Sequence, residues 1–277
     1  MSEHRVGAIE ADVPEMVRQG GREAHAIGYT VAQIAVVLVF LALWQAAAYT
    51  GLIDPFFISS PVDIALKLES WVADGSLYHH MIVTLRESLI GWVIGSIAGT
   101  LIGFVLGRVE VIRRIFVPLL HLANTLPRVA LAPLFIFWFG IGEPSKVILV
   151  ITIVVFIMIF NTYSGVLTVG ADHLITARLF GKSERKIWIE VIFPWCVPWI
   201  FAGLRLGLAW SLSGAVVGEF IAARAGIGYV IFNAASSLDN AGVLAGCVLL
   251  LAMAMVFFFG ISAAEKRLLK WRPDTIG

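Results

Sequence analysis

Charged residues are scarce in this chain. Asp, Glu, Lys and Arg make up 14% of its 277 residues, hydrophobic residues make up 59%, and the mean hydropathy is +0.90. Soluble domains carry about 25% charged residues, and an ionised side chain in hydrocarbon is costly. The deficit therefore argues against a soluble domain and indicates a lipid bilayer around the chain. The formal net charge of +1 indicates no nucleic-acid partner.

Motifs for nucleotide binding and catalysis are also lacking. The chain has no GxxxxGK(S/T) phosphate loop, no HExxH or GxSxG motif and no cluster of paired carboxylates. Its two cysteines, Cys196 and Cys247, lie in apolar segments and predict neither a disulfide framework nor a zinc site. We therefore expect a non-enzymatic chain that holds no metal and no cofactor of its own.

Long apolar runs are what the sequence does contain. Six of them are long enough to cross a hydrocarbon core of ~30 Å as a helix, and no alternating strand pattern suggests a barrel. Lipid offers no partner for open backbone groups, so helices are expected. The sequence predicts an all-α membrane protein with six transmembrane helices, which are Val31–Tyr49, Ser88–Gly107, Val117–Phe139, Val147–Val169, Val191–Val217 and Ala241–Ala264.

Basic residues orient these spans. Most Lys and Arg residues flank them on one side, and positive residues are retained in the cytoplasm. Both termini and the segment 170–194 are therefore expected in the cytoplasm. Residues 1–28 lack the start and cleavage site of a signal peptide, so they are predicted to be a cytoplasmic tail. Residues 29–272 form the predicted transmembrane domain, and 273–277 a C-terminal tail. The basic residues of the opposite, outer side are Lys67, Arg86, Lys146 and Arg224.

Glycine and proline mark two of the spans. Small residues on one helix face let another backbone approach closely, so we interpret the glycine ladder of the second span as a packing surface; a direct role in a solute path is the alternative. Proline removes a backbone donor and bends a helix, and three prolines are expected to interrupt the third span. The ladder is Gly91, Gly95, Gly99, Gly103 and Gly107, and the prolines are Pro118, Pro127 and Pro133.

Three charged residues lie within or at the end of spans. Arg128 follows Pro127, and it either faces a water-filled solute path or pairs with a carbonyl or Glu219, or reaches the interface. Arg205 is interpreted as a structural or cavity-lining charge near the cytoplasmic side. Glu219 follows the fifth predicted span, where a rim or gating role and a solvated end both stay open.

The polar segment 170–194 separates two apolar spans. It is longer than a plain connection between helices, and it has room for two short helices joined at Gly181. Such a structured cytoplasmic segment predicts a docking surface for another protein. It resembles the coupling loop of ABC-importer permeases, whose pattern is E-A-A-x3-G-x9-I-x-L-P. Ala177, Gly181 and Pro194 match this pattern, whereas Ile175, Thr176 and Phe193 replace its glutamate, first alanine and leucine.

Other segments are similar to one subgroup of these permeases, which imports nitrate, sulfonates, taurine or bicarbonate. The similarity extends over residues 30 to 272 and leaves the individual solute open. The segments that carry it are Ser59–Pro61, Thr84–Leu85, Thr125–Leu134, Trp138–Gly142, Gly203–Arg205 with Trp210, and Gly218–Glu219 with Gly226–Gly228.

This resemblance implies a MetI-like type I permease fold in a bacterial inner membrane. It implies a second permease copy, two cytoplasmic ATPase subunits that hold ATP and Mg²⁺, and an extracytoplasmic binding protein that delivers a small anionic solute. Coupling to the ATPase would fall to Ala177, Gly181, Glu184, Arg185 and Pro194. Candidates for the translocation path are Pro127, Arg128, Arg205, Trp210 and Glu219.

Two other functions compete with this interpretation. A stand-alone secondary transporter or channel would show internal repeats and intramembrane acidic residues. An integral membrane enzyme would need polar catalytic groups at one membrane face. Neither pattern is visible, and binding of an ATPase subunit would separate the importer from both alternatives.

Overall fold

The regular structure is helical throughout the part of the chain that the computed structural model describes, residues 15–52, 54 and 56–268. A 3-10 turn occupies Arg128–Leu131 and a π-helical segment occupies Trp188–Ile192. The α-helices are α1 Glu15–Tyr49, α2 Pro61–Ala73, α3 Ser76–Arg108, α4 Glu110–Asn124, α5 Ala132–Phe139, α6 Glu143–Leu167, α7 Ala171–Leu179, α8 Glu184–Ile187, α9 Phe193–Ala222, α10 Ile227–Ser236 and α11 Asn240–Leu268.

Membrane-length helices confirm the predicted all-α class. Among the described residues, five helices are long and apolar enough to cross a bilayer, and a sixth crossing arises if the bent pair Glu110–Asn124 and Arg128–Phe139 counts as one span. The other five are Val31–Tyr49, Ser76–Arg108, Glu143–Leu167, Glu184–Ala222 and Asn240–Arg267.

The third predicted span is not one straight helix. Its two halves meet at 84°, and Pro127, with φ −67° and ψ 107°, lies in extended backbone at the break. Proline cannot donate a helical hydrogen bond and disfavours helix at the residue before it. The prediction that Pro118 also interrupts this span is wrong, because Pro118 lies inside the continuous helix α4.

Helix boundaries correct two predicted spans, and α1 extends into the predicted tail. α1 begins at Glu15, so residues 15–28 of the predicted tail are helical, whereas residues 1–14 and 273–277 lie outside the described residues. The second span begins at Ser76 rather than Ser88, and the fifth at Glu184 rather than Val191. These polar helix starts lie beyond the apolar runs from which spans are predicted.

The chain divides into two compact units, with the boundary between Ala65 and Leu66. In the first unit, Ser60 caps the start of α2. Its Oγ accepts from the Asp63 N–H at 3.1 Å and donates to the Asp63 carboxylate at 2.7 Å. Such reciprocal bonding satisfies donors that a helix start leaves open. The second unit contains α3 to α11.

The glycine ladder of α3 packs against α6 in the second unit. A Cβ on Gly95 would lie 2.9 Å from the Val154 Cβ, and one on Gly103 would lie 2.7 Å from the Thr162 Cβ. The two helices therefore approach more closely than any side chain on these positions would allow. The packing interpretation of the ladder is confirmed.

α9 packs against α6 beside α3, and it contacts some of the same α6 residues. A buried cluster of Val150, Val154, Met158 and Ala215 lies between these helices. The Trp92 indole N–H of α3 donates to the Leu204 carbonyl of α9 at 3.0 Å. α3, α6 and α9 thus form the packed centre of the second unit, and their ends position the residues described next.

Candidate functional site

The predicted cytoplasmic segment begins with a short helix that ends in a glycine turn. Gly181 has φ +72°, in the left-handed region. Its N–H donates to the Arg178 carbonyl at 2.9 Å, and the Lys182 N–H donates to the Ala177 carbonyl at 3.2 Å. These two bonds form a Schellman motif, which satisfies carbonyls at the end of α7 and favours glycine at this position. The predicted turn at Gly181 is therefore present.

The second predicted short helix of this segment is not separate. α8 continues through the π-helical segment into α9, so Glu184–Ala222 is one long helix. The π-helical segment ends just before Pro194, whose missing N–H removes a regular hydrogen bond. The segment 170–194 is thus one short helix, a glycine turn and the start of the fifth span.

Apolar contacts and ion pairs hold α7 to its neighbours. Arg178 Nε lies 3.0 Å from Glu184 Oε1, and Lys182 Nζ lies 2.6 Å from Glu190 Oε2. The first pair joins α7 to α8, and the second joins the residue after the glycine turn to the π-helical segment. The apolar cluster below α7 consists of Val166, Val169, Ala177, Ile187, Ile192 and Cys196.

Two large apolar side chains stand out at the end of α7. Leu179 is 82% exposed and Phe180 is 80% exposed, and the candidates Glu184 and Arg185 are exposed beside them. Adjacent exposed apolar side chains outside the membrane are typical of a protein contact. Sequence reasoning missed Leu179 and Phe180, although an apolar pair within a polar segment was a visible signal.

Arg128 lies at the break in the third span. Its Nη1 donates to the carbonyls of Asn124 at 3.1 Å and Leu126 at 3.0 Å, and its Nη2 donates to Asn124 Oδ1 at 3.0 Å. Its Cζ lies 4.4 Å from the centroid of the Phe156 ring. Of the predicted alternatives for Arg128, these contacts agree with pairing to backbone carbonyls. The alternative pairing with Glu219 is wrong.

Arg205 pairs with the last helix. Its guanidinium forms an ion pair with Glu265 of α11, and its Cζ lies 5.3 Å from the centroid of the Phe258 ring. Both contacts join α9 to the end of α11 that is predicted to face the cytoplasm, and Arg205 also lines a cavity between these helices. Trp210 is exposed on α9.

Glu219 is buried rather than solvated. The residue is 1% exposed. Its Oε1 accepts from the Thr84 hydroxyl at 2.7 Å, and its Oε2 accepts from the Gly228 N–H at 2.5 Å. Gly228 lies in the first turn of α10, where the helix dipole favours a negative charge. The expectation of a solvated end is wrong because α9 continues through Glu219 and the start of α10 covers it.

Glycine and threonine complete the environment of this carboxylate. Gly226 has φ +117°, and a Cβ on Gly228 would lie 2.8 Å from Glu219 Oε2. The Ile227 N–H donates to the Thr84 hydroxyl at 2.8 Å. The Thr84 hydroxyl and the Glu219 carboxylate thus accept hydrogen bonds from two consecutive N–H groups at the start of α10. These bonds connect α3, α9 and α10.

A buried ion pair lies beside this junction. Lys146 Nζ of α6 donates to Glu87 Oε1 of α3 at 2.6 Å, and the two side chains are 6% and 2% exposed. The alkyl chain of Lys146 packs on Gly218, the neighbour of Glu219. Sequence reasoning noted Thr84 only within the family resemblance and Lys146 only as an outer basic residue, and it missed Glu87. Glu87 and Lys146 lie just before predicted spans, where charges ordinarily face water.

A second ion pair lies on the predicted outer side. Lys67 Nζ is 2.5 Å from Asp239 Oδ2, and the Gly242 N–H donates to Asp239 Oδ1 at 2.9 Å. Burial opposes ionisation of this carboxyl, but the Lys67 ammonium and the N–H group outweigh it and lower the pKa of Asp239. Among the described residues, no group of three or more His, Cys, Asp or Glu side chains is placed to hold a metal ion.

Comparison with known families agrees with this architecture. The family model described as "Binding-protein-dependent transport system inner membrane component" matches residues 93–270, more than half of the chain. The chain belongs to this family. It is an ABC-importer permease subunit of the MetI type and a multi-pass protein of the inner membrane.

Relatives of the permease include two named transport permeases. It is 30% identical over 239 residues to the putative aliphatic sulfonates transport permease protein SsuC of Bacillus subtilis, covering 86% of this chain and 87% of the relative. It is 30% identical over 246 residues to the taurine transport system permease protein TauC of Escherichia coli, covering 87% of this chain and 90% of the relative.

A solved structure shares the fold of the permease. The inward-facing MetNI methionine ABC transporter contains a chain that aligns with a TM-score of 0.61 and 15% sequence identity. The alignment covers 71% of the permease and 96% of that chain. The predicted MetI-like fold is confirmed. As a class, MetI-type permeases work with ATPase and solute-binding partners.

Proposed function

We propose that the permease forms the translocation path for a small anionic solute, with sulfonates and taurine as the leading candidates and nitrate and bicarbonate as related ones. An extracytoplasmic binding protein delivers the solute. The names of two relatives support the sulfonate class. Other relatives are named for formylaminopyrimidine and riboflavin transport. Membership of the family alone therefore does not fix the chemical class of the solute.

The assembly in this proposal contains two copies of the permease and two separate ATPase subunits. ATP and Mg²⁺ bind to the ATPase subunits and not to this chain. The observation that carries the proposal is the short helix α7 with its exposed Leu179 and Phe180 and its left-handed Gly181. An ATPase surface that receives this tip moves α7, and the buried cluster below α7 transmits the motion to α6 and α9.

The translocation path in this proposal runs past the broken third span. A break with a half-buried arginine is a usual place for a transport site in a membrane. Arg128 keeps the break open through its carbonyl contacts, while Pro127 prevents a continuous helix. Trp210 offers an exposed ring to the path. Arg205 and Glu219 lie behind the path and hold α11 and α10 in place.

The coupling part is tested by Gly181→Val. A β-branched residue at φ +72° is strained by about 1–2 kcal/mol, so the turn after α7 should open and the tip should shift. We expect normal membrane insertion, loss of ATPase subunit from the purified permease, and loss of taurine uptake into cells. Copies with two different affinity tags, purified together, test the homodimer in the same preparation.

Gly170→Val is the matched control. Gly170 precedes α7 with φ −59° and ψ 137°, a conformation that valine adopts readily, so this variant should keep both ATPase binding and uptake. Equal behaviour of the two variants would contradict the coupling role of the glycine turn. A wild-type permease that purifies without any ATPase subunit would contradict the proposed assembly with separate ATPase subunits.

A further inference from the structure

A cavity of about 520 Å³ lies at the predicted outer ends of α3, α6 and α9. Small-molecule sites in proteins typically enclose about 300–1,000 Å³. The cavity is not part of the coupling segment, since α6 and α9 each reach that segment with their other end. Its polar lining residues are His79, Arg86, Glu87, Glu143, Lys146 and Arg224.

Basic residues concentrate in this cavity. The outer side carries few basic residues, and Arg86, Lys146 and Arg224 all line this cavity. The first turn of α6, at Glu143, also borders the cavity, and the positive end of its helix dipole attracts anions. A cluster of cations on a side that otherwise has few indicates a ligand of opposite charge.

Cationic groups remain available after the carboxylates of the cavity are paired. Lys146 forms an ion pair with Glu87. Arg86 meets Glu143 through Nε, at 2.9 Å, and its side chain is 66% exposed. That contact leaves both terminal nitrogens of Arg86 for another acceptor. Arg224 has no ion pair or hydrogen bond within the part of the chain that the structure describes. An arginine fork pairs well with the oxygens of an oxyanion.

We propose that this cavity binds the oxyanion group of the solute at the outer face, through Arg224 and the terminal nitrogens of Arg86. The proposal rests on import of an anionic solute. The lining chemistry selects a sulfonate or carboxylate over a neutral molecule of the same shape. Lys146 and Glu87 form the wall behind the site. Because the Lys146 ammonium is paired with Glu87, Arg224 and Arg86 are the groups that bind the anion.

Protection of a cysteine tests occupancy directly. Ala223 lines the cavity, so Ala223→Cys is placed in the full-length permease with Cys196→Ala and Cys247→Ser, in native membranes. Millimolar ethanesulfonate should slow labelling by an impermeant thiol reagent, and ethyl methyl sulfone, its neutral isostere, should not. Adding Arg224→Gln should weaken the protection about tenfold, as expected for loss of a hydrogen bond to a charged group. Ser236→Cys, outside the cavity, should show no protection.

Uptake measurements give an independent readout. In cells with the intact transporter, Arg224→Gln should raise the half-saturating concentration of ethanesulfonate about tenfold, and Arg224→Lys should restore part of the loss. Lys67→Gln is the matched control, because Lys67 is the outer basic residue that does not line this cavity.

The possible outcomes separate this site from the proposed function. Protection by the neutral sulfone equal to that by ethanesulfonate, or protection unchanged in Arg224→Gln, would overturn the oxyanion site while leaving the importer intact. A wild-type transporter that takes up no sulfonate would contradict the proposed solute, and the labelling experiment would still decide whether the cavity binds an oxyanion.

Discussion

Individual buried charges in this permease each have a specific partner on another helix. Glu219 accepts hydrogen bonds from the Thr84 hydroxyl and the Gly228 N–H, and Lys146 forms an ion pair with Glu87. Removing one member of a buried pair leaves the other without water and without a partner, which costs more than the contact itself contributes. Single substitutions here should therefore act on stability before they act on transport.

Glu219→Gln tests this at one residue. Glutamine keeps the shape of the side chain, but its single carbonyl oxygen replaces two acceptors, so one of the two buried donors loses its partner. We expect a loss of about 1–3 kcal/mol, seen as a lower midpoint in thermal unfolding of the purified permease. The control is Glu69→Gln, at an exposed position of α2. Equal midpoints for the two variants would show that the junction does not hold α10.

Whole helices meet in this permease at distances that only glycine permits. α3 presents its ladder to α6, and α9 also approaches α6 through Gly203, where a Cβ would lie 2.9 Å from the Met158 sulfur. Lipid tails are as apolar as the side chains, so the hydrophobic effect does not drive transmembrane helices together. Close van der Waals packing therefore supplies much of the attraction between them. The glycine positions at these helix contacts should therefore not tolerate an added methyl group.

Gly99→Ala tests the ladder. The new Cβ would lie 2.5 Å from the Val155 carbonyl oxygen and 2.6 Å from the Met158 Cβ, so the helices must separate. We expect a loss of about 1–3 kcal/mol, as for other overpacked cores. Gly260→Ala is the control, since a Cβ there meets nothing within 4 Å. Chemical unfolding in detergent compares the two, and equal stability would refute the role of the ladder.

The whole permease is predicted to have a cytoplasmic face that carries α7 and an outer face that carries the basic cavity. The excess of Lys and Arg on one side sets this orientation, and the odd number of crossings between the segment 170–194 and residue 236 keeps the two on opposite sides. In the proposed importer, the ATPase subunits bind at the cytoplasmic face and the solute arrives at the outer face, so this orientation gives the direction of transport.

Thiol labelling of intact cells tests the orientation. In the same cysteine-free background, Ser183→Cys should be shielded from an impermeant reagent, and Ser236→Cys should be labelled. Both serines are exposed in the structure, so burial does not explain a difference. Permeabilised cells should label both positions. The reverse pattern, or labelling of both positions in intact cells, would exclude this topology.

Local patterns in the sequence predict the orientation, and they determined the membrane class, the glycine ladder, the Gly181 turn and the break at Pro127. Each depends on residues within a few turns of one another: apolar length, flanking charge, a four-residue period, or a residue with unusual backbone freedom. The same patterns misplaced helix ends, because a polar first turn such as that of α3 or α8 adds no apolar signal to the span it continues.

Only the tertiary structure decided which charges are buried and with whom they pair. Glu219 meets Thr84 across 135 positions of sequence, Lys146 meets Glu87 across 59, and Arg205 meets Glu265 across 60. A charge near the end of a predicted span has the same local sequence whether it faces water or a partner on another helix. The outcome depends on how the helices pack, since a charge stays buried only where packing supplies the hydrogen bonds that water would otherwise provide.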